Sequence, residues 1–134
     1  MGLTITTLDD EVKKCFEPFS SPIEARLNAL KGLHDAGVRT FAFLGPLLPF
    51  LVEESLEGLA RKFRAVGVSA VLVDRLNIKY GNWRTISGGL EKYYPELVPQ
   101  YECTLFQGTD YFDGLKRKVA KRLRAEGLPF TFCY

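Results

Sequence analysis

The chain has 134 residues, 46% of them hydrophobic and 25% charged, which is the composition of a globular domain and excludes a disordered or fibrous chain. Its formal net charge of +2 is too near balance to define an electrostatic partner by itself. The length suffices for one compact domain with a real core and not for two, so residues 1–134 are read as a single domain.

Leu3 to Thr7 reads as the first strand. Ser21-Pro22-Ile23-Glu24 then opens a long helix: Ser21 can cap it, Pro22 suits its first position, and Glu24 completes a capping box. Ile23, Leu27, Leu30 and either Leu33 or His34 fall at helical spacing, and Gly37 supplies a left-handed stop. Val38 to Leu44 follows as an apolar run with β-branched and aromatic residues, the mark of a strand buried on both faces. Val52, Leu56, Leu59, Phe63 and Val66 form one face of the next helix. Gly67 ends it, and Val68 to Val73 is the following strand.

Between Asn77 and Tyr111 the pattern breaks under Gly81, Gly88, Gly89, Pro95, Pro99 and Gly108, with a short helix from Ser87 to Tyr94 as its one regular piece. Residues 77–110 are therefore expected to form an irregular cap. A last helix runs through Phe112, Leu115, Val119 and Leu123 to Gly127, and Leu128 to Tyr134 is a strand with Pro129 inside it. Residues 111–134 are that final pair, as 3–76 are the core repeats.

Strands alternating with amphipathic helices predict an α/β fold with a parallel sheet and right-handed crossovers. The expected architecture is a partial parallel (β/α) barrel of three to four strand-helix units. Four strands cannot close a ring that usually needs about eight, so both edges should be open and require a partner. That partner would be a missing N-terminal half-barrel or a second copy associating through the open edges.

Cys15, Cys103 and Cys133 are odd in number and far apart, which makes neither a disulfide framework nor a metal-ligand spacing and fits reduced thiols in the cytoplasm. Met1 leads directly into a strand pattern, so no secretory leader is read. The longest apolar stretch, Phe41 to Val52, is interrupted by Gly45, Pro46 and Pro49 and is too short to span a bilayer.

Chemistry in parallel β/α folds gathers beyond the carboxyl ends of the strands. Thr6, Thr7, Asp9 and Asp10 follow the first strand; Gly45, Pro46 and Pro49 the second; Asp74, Arg75, Asn77 and Lys79 the third. They contain no nucleophile triad, and the single histidine, His34, sits near the end of a helix, so neither a catalytic set nor a metal site is assigned. Each position also has a structural reading: Thr7 and Asp10 as a capping box, Gly45-Pro46 as a turn off the sheet, Asp74-Arg75 as a local ion pair. Ser87-Gly88-Gly89 is no phosphate loop, lacking the Lys-Ser/Thr partner. The run Lys116, Arg117, Lys118, Lys121, Arg122 and Arg124 could touch a phosphate backbone, although such a face is more often merely solvated.

Several linked segments resemble a known family. Thr4-Ile5-Thr6-Thr7-Leu8-Asp9-Asp10, Phe16-Glu17-Pro18, Ser21-Pro22-Ile23-Glu24-Ala25-Arg26-Leu27 and Ala36-Gly37-Val38 are similar to the second half of radical S-adenosylmethionine enzymes, in the DNA repair photolyase or spore photoproduct lyase-like branch. Leu44-Gly45-Pro46-Leu47-Leu48-Pro49 is similar to the turn after that family's fifth strand. Asp74-Arg75-Leu76-Asn77 with Gly81-Asn82-Trp83 is similar to the segment after its sixth. The resemblance covers about residues 3 to 95. It implies an S-adenosylmethionine pocket in which Thr4 or Thr6 would meet the ribose and Arg26 the methionyl carboxylate. Leu44, Gly45 and Pro46 would pack the adenine, with Asn77 near the substrate or adenine edge. The family's Cys-x3-Cys-x2-Cys motif for a [4Fe–4S] cluster is absent, so the chain alone should not catalyse the family reaction. The alternative is a stand-alone, non-catalytic α/β domain that binds a ligand or a protein.

Overall fold

Three strand-helix units end in the same way. Val38, Val68 and Leu128 each donate a main-chain hydrogen bond to the carbonyl five residues back, on Leu33, Phe63 and Leu123, at 2.9, 3.3 and 3.0 Å. This is the Schellman closure, which needs a left-handed residue just before the donor. Gly37, Gly67 and Gly127 fill that place with φ of 82, 77 and 68°. The glycine stops expected at these three positions are therefore present.

The computed structural model describes residues 2–16, 22–76, 82–106 and 110–133. In chain order its elements are β1 (Gly2–Thr4), α1 (Asp10–Phe16), α2 (Ile23–Asp35), β2 (Phe41–Leu47), α3 (Leu56–Ala65), β3 (Ala70–Arg75), α4 (Asn82–Tyr93), α5 (Val98–Phe106), α6 (Tyr111–Ala125) and β4 (Phe130–Phe132). Short 3-10 turns, Val52–Ser55 and Pro95–Leu97, lead into α3 and α5. The four strands form one sheet in the order β1-β2-β3-β4, every neighbouring pair parallel. Sequential order with parallel pairing is barrel wiring, and the sheet does not close: the fold is a partial (β/α) barrel with open edges.

Register explains the layering. Leu3, Ala42, Val71 and Phe130 share one row; Thr4, Phe43, Leu72 and Thr131 share the next, on the opposite face. The face carrying Ala42, Leu44, Val71 and Val73 is sealed by helix residues such as Leu27 and Leu30 of α2, Leu59 and Phe63 of α3, and Leu115 and Val119 of α6. Val52, Leu56, Leu59, Phe63 and Val66 are all buried, as their spacing requires.

Several expectations are corrected. The strand expected at Val38–Leu44 begins at Phe41, because the residues before it serve the helix closure; Val38 is 39% exposed. Nor is that strand buried on both faces: Phe41 is 37% exposed and Phe43 only half-buried. β2 also runs through Gly45-Pro46 to Leu47 with a register shift between Leu44 and Leu47, so the glycine and proline bend the strand and do not end it. The Gly45-Pro46 peptide is cis.

The expected cap at 77–110 is largely helical where it is described. Ile86 and Leu90 of α4 and Tyr101 and Thr104 of α5 are buried, while Gly88 faces open space. Pro95 heads a 3-10 turn and Pro99 lies in the first turn of α5, where a missing N–H costs nothing. At the chain's ends, β1 stops at Thr4, although Ile5 still donates to the Phe43 carbonyl at 3.0 Å. β4 begins only after Pro129, whose carbonyl accepts from Val71 at 2.9 Å.

Candidate functional site

The carboxyl end of β1 brings together two of the expected site residues. Arg26, one turn into α2, donates from Nη1 to the Thr4 carbonyl at 2.9 Å, and the Thr4 side chain is exposed. A guanidinium thus sits at the mouth of the sheet, against the last carbonyl of an edge strand. Thr6 and Thr7 lie deeper, 5% and 0% exposed. Thr7 Oγ1 accepts from the Asp9 N–H at 3.1 Å and lies 3.3 Å from Ser55 Oγ, so this hydroxyl is a structural link between the β1 and β2 ends.

The capping box expected from Thr7 and Asp10 does not form. Asp9 caps α1 by accepting from the Glu11 N–H at 2.9 Å, and Asp10 reaches the Ile23 N–H of α2 at 3.4 Å. Helix α1 therefore starts at Asp10, with Asp9 as its cap in place of Thr7, and its first-turn acids, Asp10 and Glu11, suit a helix amino terminus. The Ser21 cap lies outside the described residues.

At the end of β2, Leu44 is 1% exposed and belongs to the core, Gly45 is buried, and Pro46 is exposed. A Cβ on Gly45 would meet the Phe43 ring at 2.6 Å and Asp74 Cβ at 3.3 Å, so a side chain there would have to displace the Phe43 ring. Of the three residues expected against an adenine, only Pro46 presents an exposed surface. At the end of β3, Asp74 Oδ1 accepts from the Arg75 main-chain N–H at 2.8 Å, and the Arg75 guanidinium lies 4.9 Å from the centre of the Phe112 ring. Asn77 and Lys79 lie outside the described residues. His34 is exposed in the last turn of α2, with its ring against Gly67.

Next to this end lies a polar joint that the sequence did not reveal. Tyr111, at the start of α6, accepts from the Phe50 N–H at 2.7 Å and donates to Glu53 Oε1 at 2.5 Å. Lys118 Nζ holds Glu53 Oε2 at 3.1 Å. Burial pushes the Glu53 carboxyl up, but the Tyr111 hydroxyl and the Lys118 ammonium outweigh it and leave the group below its ordinary value of 4.5. Burial, and then the Glu53 carboxylate, push the Tyr111 hydroxyl up from its ordinary 10.0. These partners are about sixty residues apart, so no local pattern announces them. Lys13 is a second unanticipated feature, a lysine only 6% exposed on α1.

Chemically, the end of β1 offers one guanidinium, an exposed threonine and main-chain groups, a set suited to holding an anion. Among the described residues no group of three or more His, Cys, Asp or Glu could hold a metal ion, and no helix is long and apolar enough to cross a membrane.

Fold and site together define a partial β/α-barrel protein with polar groups at the carboxyl mouth of an unclosed parallel sheet. No family model matches the chain. No solved structure matches it. It is 35% identical over 97 residues to the uncharacterized protein MJ0683 of Methanocaldococcus jannaschii, a stretch that makes up 72% of this chain and 35% of that protein. The chain thus spans about a third of the length of the curated relative it matches.

Proposed function

We propose that this chain is the C-terminal part of a radical S-adenosylmethionine enzyme-like barrel, keeping one wall of the cofactor pocket and inactive by itself. The observation that carries the reading is the meeting of Arg26 with the Thr4 carbonyl at 2.9 Å. It fixes a guanidinium fork beside the exposed end of a barrel strand, where the resemblance puts the methionyl carboxylate and the ribose. A guanidinium suits a carboxylate because its planar donors can engage both oxygens at once. Pro46 offers an apolar surface to an adenine, with Leu44 as its backing in the core; Asn77 completes the set by resemblance alone.

The donors present fit S-adenosylmethionine and do not fit its cluster. Cys103 and Cys133 are exposed, and with Cys15 the three thiols are too scattered in sequence for a Cys-x3-Cys-x2-Cys loop. Cofactor and cluster together supply the radical chemistry of the family resembled; the part left to this chain is to bind and orient. Its partner would be an N-terminal half-barrel bearing the cluster, or a second copy joined through the open edges. The half-exposed Phe41 and Phe43 face also favours a second reading, a non-catalytic α/β domain that binds a protein.

Calorimetric titration with S-adenosylmethionine tests the first reading. Saturable one-site heat is expected, with Arg26→Ala weakening it by about ten- to a hundredfold through loss of a charge-assisted pair. An unchanged circular dichroism spectrum would show that the fold survives the change. Equal affinity in both chains, or no heat with the parent chain, would sink the assignment.

A further inference from the structure

Helix α6 is basic on two flanks, and the one that faces α3 is joined by an ion pair to that segment. On the side facing α3, Lys118 pairs with Glu53 at 3.1 Å, and Glu54 and Glu57, the latter paired with Arg61, line the same groove as Arg122 and as Lys121, which borders both flanks. An acid of the turn leading into α3 thus meets a base of α6. The opposite flank borders β4. There Lys116, Arg117, Lys121 and Arg124 wall a groove of about 700 Å³ whose floor is formed by Phe130 and Phe132. Arg117, Lys121 and Arg124 are exposed, and among the described residues none of these three makes an ion pair.

The groove occupies a definite place in the fold. α2, α3 and α6 follow one another in a layer on one face of the sheet, α3 touching both of the others. Neighbouring helices in such a layer sit about 8–10 Å apart, so the space past α6 along β4 is the next helix position. The floor is aromatic, and the wall is positive with residues at helical spacing. Bases of a single-stranded nucleic acid would need open aromatic faces to stack on. Here Lys116 Nζ lies 4.8 Å from the Phe132 ring centre and the Arg124 guanidinium 5.4 Å from that of Phe130, so both rings already carry a cation. The α3 flank shows what chemistry does fit: a helical segment with an apolar stripe and glutamates along its edge.

We propose that the groove between α6 and β4 is a docking site for an acidic amphipathic helix of a partner protein. Its apolar stripe lies on Phe130 and Phe132, and its carboxylates face Arg117, Lys121 and Arg124. The inference stands apart from the cofactor reading, since none of these residues belongs to the Arg26 site.

The probe is a labelled amphipathic peptide of about 18 residues with a leucine stripe flanked by glutamates, compared by fluorescence anisotropy with the same stripe flanked by lysines. The parent chain should bind the glutamate peptide at least about tenfold more tightly, and the double variant Arg117→Glu, Lys121→Glu should reverse the order. Both substituted residues are exposed, and the two-peptide comparison on the parent chain decides the matter even if the variant misfolds. Equal binding of the two peptides, or binding of neither, would overturn the proposal. So would tighter binding of an oligothymidylate than of the glutamate peptide, because the groove would then be reading phosphate.

Discussion

Replacing Tyr111 with Phe removes one oxygen from the joint that ties the segment after β2 to the start of α6. That oxygen is the acceptor for the Phe50 N–H and the donor to Glu53, at 2.7 and 2.5 Å. Phe50 has a φ of 63°, a left-handed conformation that costs a non-glycine residue about 1–2 kcal/mol and must be held by its surroundings. Without the hydroxyl, a partly buried N–H loses its acceptor and a carboxylate loses a charge-assisted donor, each worth about 1–2 kcal/mol. Glu53 keeps Lys118 and is 30% exposed, so the sum is best taken at its low end, about 2 kcal/mol. For a chain of this length that is roughly 6–10 °C in Tm. The ring should stay in place, since the Phe50 and Tyr111 rings pack at 4.6 Å, tilted by 42°, independently of the hydroxyl.

The pH dependence has a definite sign. Glu53 is held below its ordinary 4.5, so its share of stability is present above that value and is lost as pH falls through the lower folded one. Tyr111 is raised, so its share is full below its ordinary 10.0 and is lost only at higher pH. The gap between parent and Tyr111→Phe should therefore be flat between these two values and shrink on acidification. Thermal melts by circular dichroism across this range test it. A variant Tm within about 1 °C of the parent at neutral pH, or a gap that widens in acid, would refute the joint.

The other predictions concern the sheet and the helix ends. Thr40 is 1% exposed and its Oγ1 has no hydrogen-bond partner among the described residues, so Thr40→Val should stabilise the chain by about 1 kcal/mol. A lower urea midpoint would show that the hydroxyl is satisfied in solution. Gly67→Ala forces a φ of 77° on a residue with a Cβ and should cost about 1–2 kcal/mol, the nearby His34 ring being exposed and able to turn away. Gly32→Ala, within α2 with nothing inside 4 Å, should add about 0.5–1 kcal/mol. Equal melting shifts for the two variants would mean that the left-handed closures are not what ends these helices.

Much of this fold can be read directly from residue spacing. The apolar step from Val52 to Val66, the three glycine closures and the parallel alternation of strands are local or periodic, and each is set by neighbours a few residues away. Legibility fails where tertiary contacts decide. Gly88, Pro95 and Pro99 look like punctuation, yet α4 and α5 form because Leu90 and Tyr101 find a core to enter, and the glycine and prolines fall at positions that tolerate them. The joint at Tyr111 depends on partners about sixty residues away, which no window of sequence contains. At the site, the meeting of Arg26 with Thr4 follows from helix α2 starting over the end of β1, whereas the burial of Leu44 depends on which way the strand faces at a bulge.

The two faces of the sheet carry the functional consequence. One is sealed by three helices. The other bears Phe41, Phe43, Ala70 and Leu72, with the Phe41 ring lying against Gly2 where any side chain would collide. An antiparallel sheet can leave one face in water if that face is polar; a parallel sheet is normally covered on both. These residues are what the inside of a barrel requires, and in water they form an apolar patch beside two open edges. A polar mouth at the end of such a face gains its second wall only when the face is covered. On the half-barrel reading proposed above, one partner would complete both the Arg26 site and this face of the sheet. If the proposed reading holds, a partner that supplies parallel strands to β1 or β4 would at once bury Phe41 and enclose the guanidinium, so that assembly and ligand affinity rise together.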